Sequence, residues 1–137
     1  MKSKVWLALL AAALGAQAAE EDSTACDNVE TEQQTYECAA YNRQTAEREL
    51  KVAYEELLQR MREQAGDPTA VVSRIDIAQK LWSQLRDADC KVETQAEQPG
   101  KGFETAFNGC IAQHSDERAE YLRSLGVSED EEPAAED

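Results

Sequence analysis

The feature that most constrains the fold is a long amphipathic segment near the start of the chain. Between about residues 30 and 64, apolar residues recur mostly at three- and four-residue steps with charged residues between them: Tyr36, Ala40, Leu50, Tyr54, Leu57, Leu58 and Met61. This spacing places the apolar side chains on one face of an α-helix. Gly66, Asp67 and Pro68 predict the end of the helix, because glycine suits a helix C-terminus and proline cannot continue a helix.

Two further segments have the same helical pattern. The second begins near Thr69 and is broken by the glycine and proline residues at 98–102, and the third runs from about Glu104 to Leu125, with a turn signal at Asn108–Gly109. The apolar stripe of the second segment comprises Val71, Val72, Ile75, Ala78, Trp82, Leu85 and Cys90. That of the third segment comprises Phe107, Cys110, Ile111, Tyr121, Leu122 and Leu125. Because strand-like alternation is nearly absent, the sequence predicts an all-α, antiparallel three-helix arrangement with short connections.

The two ends of the chain differ from this helical region. Lys2 and Lys4 precede an apolar run at residues 5–14 and small residues at 15–19, which is the pattern of a secretory signal peptide. A membrane anchor needs about 20 apolar residues, and acidic residues at 20–22 stop the run short of that. We expect residues 1–19 to be removed on export, residues 20–127 to form one domain, and the acidic residues 128–137 to form a disordered tail. The expected location is periplasmic or secreted, without membrane attachment after cleavage.

The charge of the chain restricts its partners. It has 28 acidic and 14 basic residues among 137, a formal net charge of −14. Nonspecific binding to nucleic acid or anionic lipid is therefore excluded as a function, and a charged partner should be basic. The sequence leaves the oligomeric state open.

Four cysteines lie beyond the predicted leader: Cys26, Cys38, Cys90 and Cys110. An even number in a short exported chain predicts two disulfides. We favour Cys90–Cys110, because folding the second and third helices back on each other brings these two cysteines level, and Cys26–Cys38 then follows by elimination. A Cys38–Cys90 bridge across the first hairpin is also compatible with the rise of a helix. Zinc is disfavoured, because no cysteine pair has the close spacing of a zinc knuckle and the four ligands would come from scattered positions.

Catalytic motifs are not apparent, so we expect no enzyme activity and no cofactor. His114 is the only histidine, it lies in a polar segment, and we expect it at the surface. Acidic pairs are frequent in so acidic a chain and do not identify a catalytic pair. A nucleophile with a neighbouring base cannot be assigned.

The most distinctive segment is residues 78–90, which contains Trp82, Arg86, Asp87, Asp89 and Cys90. On a helix Trp82 and Arg86 share a face, so the guanidinium can lie over the indole and pair with a carboxylate, Asp89 being within reach. We interpret this group as a structural cluster beside the Cys90 bridge or as an anchor for a binding partner.

At this segment the sequence resembles the DUF1311, or lysozyme inhibitor LprI-like, family of small exported bacterial proteins. The resemblance extends from Cys26 to Leu125 and includes all four cysteines, the first-helix segment 50–57 and the end of the third helix. Glu47 and Lys51 depart from the family pattern, in which Asp and Asn are usual.

The resemblance implies a non-enzymatic protein that binds and inhibits a lysozyme or another basic protein. The acidity of the chain agrees with this, because opposite charges speed association. The alternative is a periplasmic structural or stress-related helical module whose acidic surface only keeps it in solution.

Overall fold

The computed structural model describes residues 23–126. The predicted signal peptide at residues 1–19 and the predicted acidic tail at residues 128–137 lie outside the described residues.

Three helices account for the fold: α1 (Glu32–Gln64), α2 (Pro68–Glu93) and α3 (Lys101–Ser124). The predicted all-α, three-helix architecture is confirmed, and residues 23–126 contain no strand. The third helix begins three residues earlier than the sequence predicts and continues through Asn108 and Gly109. The side chain of Asn108 accepts a hydrogen bond from Arg43 of α1 at 3.1 Å, so the expected turn residue instead joins two helices.

The helix starts are set by local side chains. Thr31 caps α1 in a reciprocal arrangement with Gln34, whose side chain accepts from the Thr31 backbone N–H. Asp67 caps α2 and Pro68 occupies its first turn, where a missing N–H does no harm. Gly100 precedes α3 with φ of 133°, a conformation that glycine adopts without strain.

The core lies mainly between α1 and α3. Leu50, Ala53 and Leu57 of α1 pack against Ala119 and Leu122 of α3, and all five are buried. Helix α2 contributes partly buried side chains to this core, including Ile75 and Trp82. It therefore covers one side of a tightly packed helix pair.

The outer face of α2 is apolar and exposed. Ile77, Leu81, Leu85 and Val92 are each 57–63% exposed, and their spacing places them on one side of the helix. The expectation that Ala78 and Leu85 share the buried stripe was wrong, as was the placement of Tyr121 in the stripe of α3. A helix on the edge of a two-helix core buries a narrower face than the apolar pattern of its sequence offers.

Two disulfides are present, Cys26–Cys38 and Cys90–Cys110. The favoured pairing is confirmed and the Cys38–Cys90 alternative is wrong. The first disulfide fixes the segment before α1 to that helix, and the second joins the end of α2 to α3. Such bridges are typical of proteins that fold in an oxidising compartment. Among residues 23–126, the helices are not long and apolar enough to cross a membrane.

Candidate functional site

Arg86 forms the centre of a polar cluster where all three helices meet. Its side chain is only 10% exposed. One guanidinium nitrogen donates to Ser115 Oγ of α3 at 3.1 Å, and the group pairs with Glu47 of α1 at 3.4 Å and with Asp87 at 2.8 Å. Its Cζ lies 5.2 Å from the centre of the Trp82 ring. Arg86 therefore links α2 to both other helices through charge, hydrogen bonds and the indole face.

A second arginine contacts the same indole. Arg118 of α3 has its Cζ 5.4 Å from the Trp82 ring centre and 5.0 Å from that of Tyr121. Its Nε donates to Gln79 of α2 at 3.1 Å. Burial lowers the pKa of Arg118 from its usual value, and the interaction with Tyr121 opposes this shift. Trp82 is thus held by a cation from its own helix and a cation from α3.

The structure brings three of the four predicted cluster residues together. Arg86 lies over Trp82, as their spacing indicates, but its carboxylate partners are Asp87 and Glu47. Asp89 is exposed and forms no ion pair with the other described residues. The spacing of residues along α2 does not decide whether Arg86 pairs with Asp87 or with Asp89, because α1 presents a further acceptor, Glu47.

Glu47, Ser115 and Arg118 complete the cluster but were not assigned to it from the sequence. Each approaches from a different helix than Arg86, so its position depends on how the helices are aligned. One signal was available for Glu47, since it stands where the family commonly has an aspartate. The structure gives that position a role, because Glu47 pairs with both Arg86 and Arg43.

A second polar group surrounds the Cys90–Cys110 disulfide. His114 Nε2 lies 2.9 Å from one oxygen of Glu93, and Nδ1 lies 3.6 Å from a carboxylate oxygen of Glu117. The other Glu93 oxygen is 3.3 Å from Cys110 Sγ. His114 was expected at the surface, but its side chain is only 28% exposed. It lies between two carboxylates and beside the sulfurs of a bridge in which Cys90 is buried and Cys110 is partly exposed.

An open groove of about 670 Å³ runs between α1 and α3, and its lining residues come from these two helices and not from α2. Small side chains from both helices line it, among them Ala39, Ala46 and Ala112. Three carboxylates of α3 also line it, those of Asp116, Glu117 and Glu120. The groove therefore combines a small-residue surface with an acidic border.

These features define a small, disulfide-bonded, all-α domain in which the polar cluster around Arg86 joins the three helices. The family model for the lysozyme inhibitor LprI matches residues 26–122. The chain is also similar to a DUF1311 family protein from Pseudomonas putida whose crystal structure is known. The identity is 68%, the match covers 72% of this chain and 97% of that chain, and the TM-score is 0.67. The chain belongs to the LprI (DUF1311) family, which confirms the resemblance drawn from its sequence. No curated protein matches it.

Proposed function

We propose that this protein is exported to the periplasm or beyond and there binds and inhibits a lysozyme. The observation that carries the proposal is the match to the lysozyme inhibitor family over nearly all of the described domain. The inhibitor acts by binding, without catalysis of its own. The two disulfides support an exported location, because they persist in oxidising compartments.

The charge of the domain supports a basic partner. Residues 23–126 contain 19 acidic and 12 basic residues, so the helical region is acidic even without the ends of the chain. Lysozymes of the common animal type are strongly basic. Opposite net charges accelerate association and orient the two proteins before contact.

The groove between α1 and α3 is the surface that we assign to this partner. Its acidic border complements a basic side chain, and its small residues allow close approach of another backbone. Asp116 and Glu120 are one helical turn apart and line the same groove, so two cationic groups can be bound along it.

The Arg86 cluster has a structural role in this proposal. Arg86 is nearly buried and its donors are directed at Ser115, Glu47 and Asp87. A partner could reach it only by breaking these contacts. The cluster therefore holds α2 in place and does not form the docking face.

The test is a titration of the oxidised protein into hen lysozyme at about 150 mM salt, where charges are screened beyond ~8 Å. Binding and lysis of cell walls are both followed. We expect saturable 1:1 binding with loss of lysis. Binding only at low salt, or binding without inhibition, would contradict the proposal and favour a structural module whose acidity attracts lysozyme nonspecifically.

Matched charge variants locate the surface. D116N/E120Q removes two carboxylates from the groove, and E55Q/E63Q removes two exposed carboxylates from α1 outside it. We expect the groove variant to weaken inhibition at least tenfold and the control to change it less than twofold. Equal effects would show that only total charge matters.

A further inference from the structure

Four potential metal ligands converge where the end of α2 meets the middle of α3. The sulfurs of Cys90 and Cys110 and a ring nitrogen of His114 all lie within 4.8 Å of one another. Glu93 adds a carboxylate, of which one oxygen is 3.3 Å from Cys110 Sγ and the other is 2.9 Å from His114 Nε2. In the oxidised protein both sulfurs are joined in the disulfide and are poor metal ligands.

The helices themselves produce this convergence. Cys110 and His114 are four residues apart in α3, and Cys90 and Glu93 are three apart in α2, so each pair shares one face of its helix. The disulfide fixes the two faces opposite each other. The sequence spacing did not reveal the group, because its members come in equal number from two helices.

We infer that the dithiol form of the protein binds one Zn²⁺ ion through Cys90, Cys110, His114 and Glu93. The reductant is a dithiol, which reacts by thiol–disulfide exchange. The Cys90–Cys110 bond receives two electrons and two protons and becomes two thiols, and the dithiol becomes a disulfide. Zn²⁺ then displaces the two thiol protons and is bound by the two thiolates. A disulfide oxidant reverses the change: it accepts the two electrons and two protons and becomes a dithiol, the Cys90–Cys110 bond reforms, and the ion is released.

The geometry of the nitrogen and oxygen ligands suits a tetrahedral zinc site. Zinc–nitrogen and zinc–oxygen distances of about 2.0–2.2 Å place two such ligands roughly 3.3–3.6 Å apart. His114 Nε2 and the Glu93 oxygen are 2.9 Å apart, so a metal ion can lie between these two atoms after only a small increase in their separation. The sulfurs must separate to about 3.8 Å for zinc–sulfur distances of about 2.3 Å, which rotation of the two side chains provides.

A second carboxylate, that of Glu117, lies near the other ring nitrogen of His114. It lies 3.6 Å from Nδ1 of His114, on the ring nitrogen that faces away from Glu93. Histidine ligands of zinc commonly donate their other N–H to a carboxylate, which fixes the tautomer and the ring orientation. His114 is partly exposed and Glu93 more so, which gives the ion a path from solvent to the buried Cys90.

The experiment uses tag-free protein reduced with a phosphine and freed of it by gel filtration without oxygen. Zn²⁺ is added in competition with a chromophoric chelator, and Co²⁺ serves as a spectroscopic substitute that reports thiolate ligation. We expect one ion per reduced chain and no binding at this site in the oxidised chain. Equal binding by both forms, or absence of 1:1 binding by the reduced form, would overturn the inference.

Four variants separate this site from nonspecific thiol binding. C26S/C38S is the matched control, because it removes a disulfide whose neighbour is Asn42 and not a histidine. We expect it to bind like the parent, C90S/C110S to lose the ion, and H114A and E93Q to bind at least tenfold more weakly. An unchanged affinity in H114A, or a loss in C26S/C38S, would contradict the assignment.

Loss of helical structure on reduction does not prevent the test. Zinc binding would then be coupled to folding, and circular dichroism at 222 nm follows the helix content during the titration. Recovery of helix with one equivalent of Zn²⁺ supports the site, and its absence overturns it.

Discussion

Replacement of Arg86 by alanine should destabilise the protein strongly, because this side chain joins all three helices. The variant loses the ion pairs to Glu47 and Asp87, the hydrogen bond to Ser115 and the contact with the Trp82 ring. Hydrogen bonds to charged groups contribute about 1.5–3 kcal/mol and a partly desolvated cation–π contact about 1–2 kcal/mol.

The groups left behind set an upper limit on the loss. Ser115 Oγ still donates to the Ile111 carbonyl at 2.6 Å, so it keeps one partner. The carboxylates of Glu47 and Asp87 are 38% and 49% exposed and can be hydrated. We therefore expect the free energy of unfolding to fall by about 3 kcal/mol, below the upper range for a buried charge left without a partner.

Urea unfolding of the oxidised protein, followed by circular dichroism, measures this loss. R74A is the control, since Arg74 is an exposed arginine of the same helix and its removal should change stability by less than about 0.5 kcal/mol. R86K keeps the charge but loses the planar guanidinium and should fall between the two. A loss below about 1 kcal/mol for R86A, or equal losses for R86A and R74A, would refute the structural role of the cluster.

Two further perturbations test the fold. Gly126 has φ of 74°, and an added Cβ would collide with the Met61 side chain, so G126A should lower the free energy of unfolding by about 1–2 kcal/mol. Gly109 lies within α3 with open space around it, so G109A should raise the free energy of unfolding by about 0.5–1 kcal/mol. Thermal unfolding distinguishes these opposite signs. Burial and a hydrogen bond donated to Asp76 raise the pKa of Tyr54 to about 12 from 10.0, so the unfolded chain ionises first. The contribution of Tyr54 to the free energy of unfolding should be fully present below pH 10 and decline between pH 10 and about pH 12. Y54F should reduce this decline in urea unfolding curves. An unchanged pH profile in Y54F would contradict the assignment.

The number and order of the helices could be predicted from the sequence because they depend on local information. The apolar period and the Gly66–Pro68 break both act within a few residues, and neither depends on contacts between helices. The disulfide pairing could be preferred but not decided from the sequence, since an antiparallel hairpin places Cys90 opposite Cys110 while the rise of a helix also permits Cys38–Cys90.

The contacts between helices could not be predicted in the same way. Whether Arg86 pairs with Asp89 or with Glu47 depends on the rotation and register of α1 against α2, and no local pattern fixes these. The same holds for His114, whose neighbours Glu93 and Cys90 lie in another helix. For Leu85 the local pattern gave a wrong prediction. Its apolar side chain indicated burial, but the core between α1 and α3 does not cover it.

The exposed apolar face of α2 gives the acidity of this chain a second consequence. Ile77, Leu81, Leu85 and Val92 offer a ready contact between copies, while a net charge of −14 keeps those copies apart at neutral pH. Near the isoelectric point of about 4.4 that repulsion vanishes. Self-association of the protein should therefore increase sharply as the pH is lowered toward this value. It would occur through a face of α2 that contributes little to the stability of the fold.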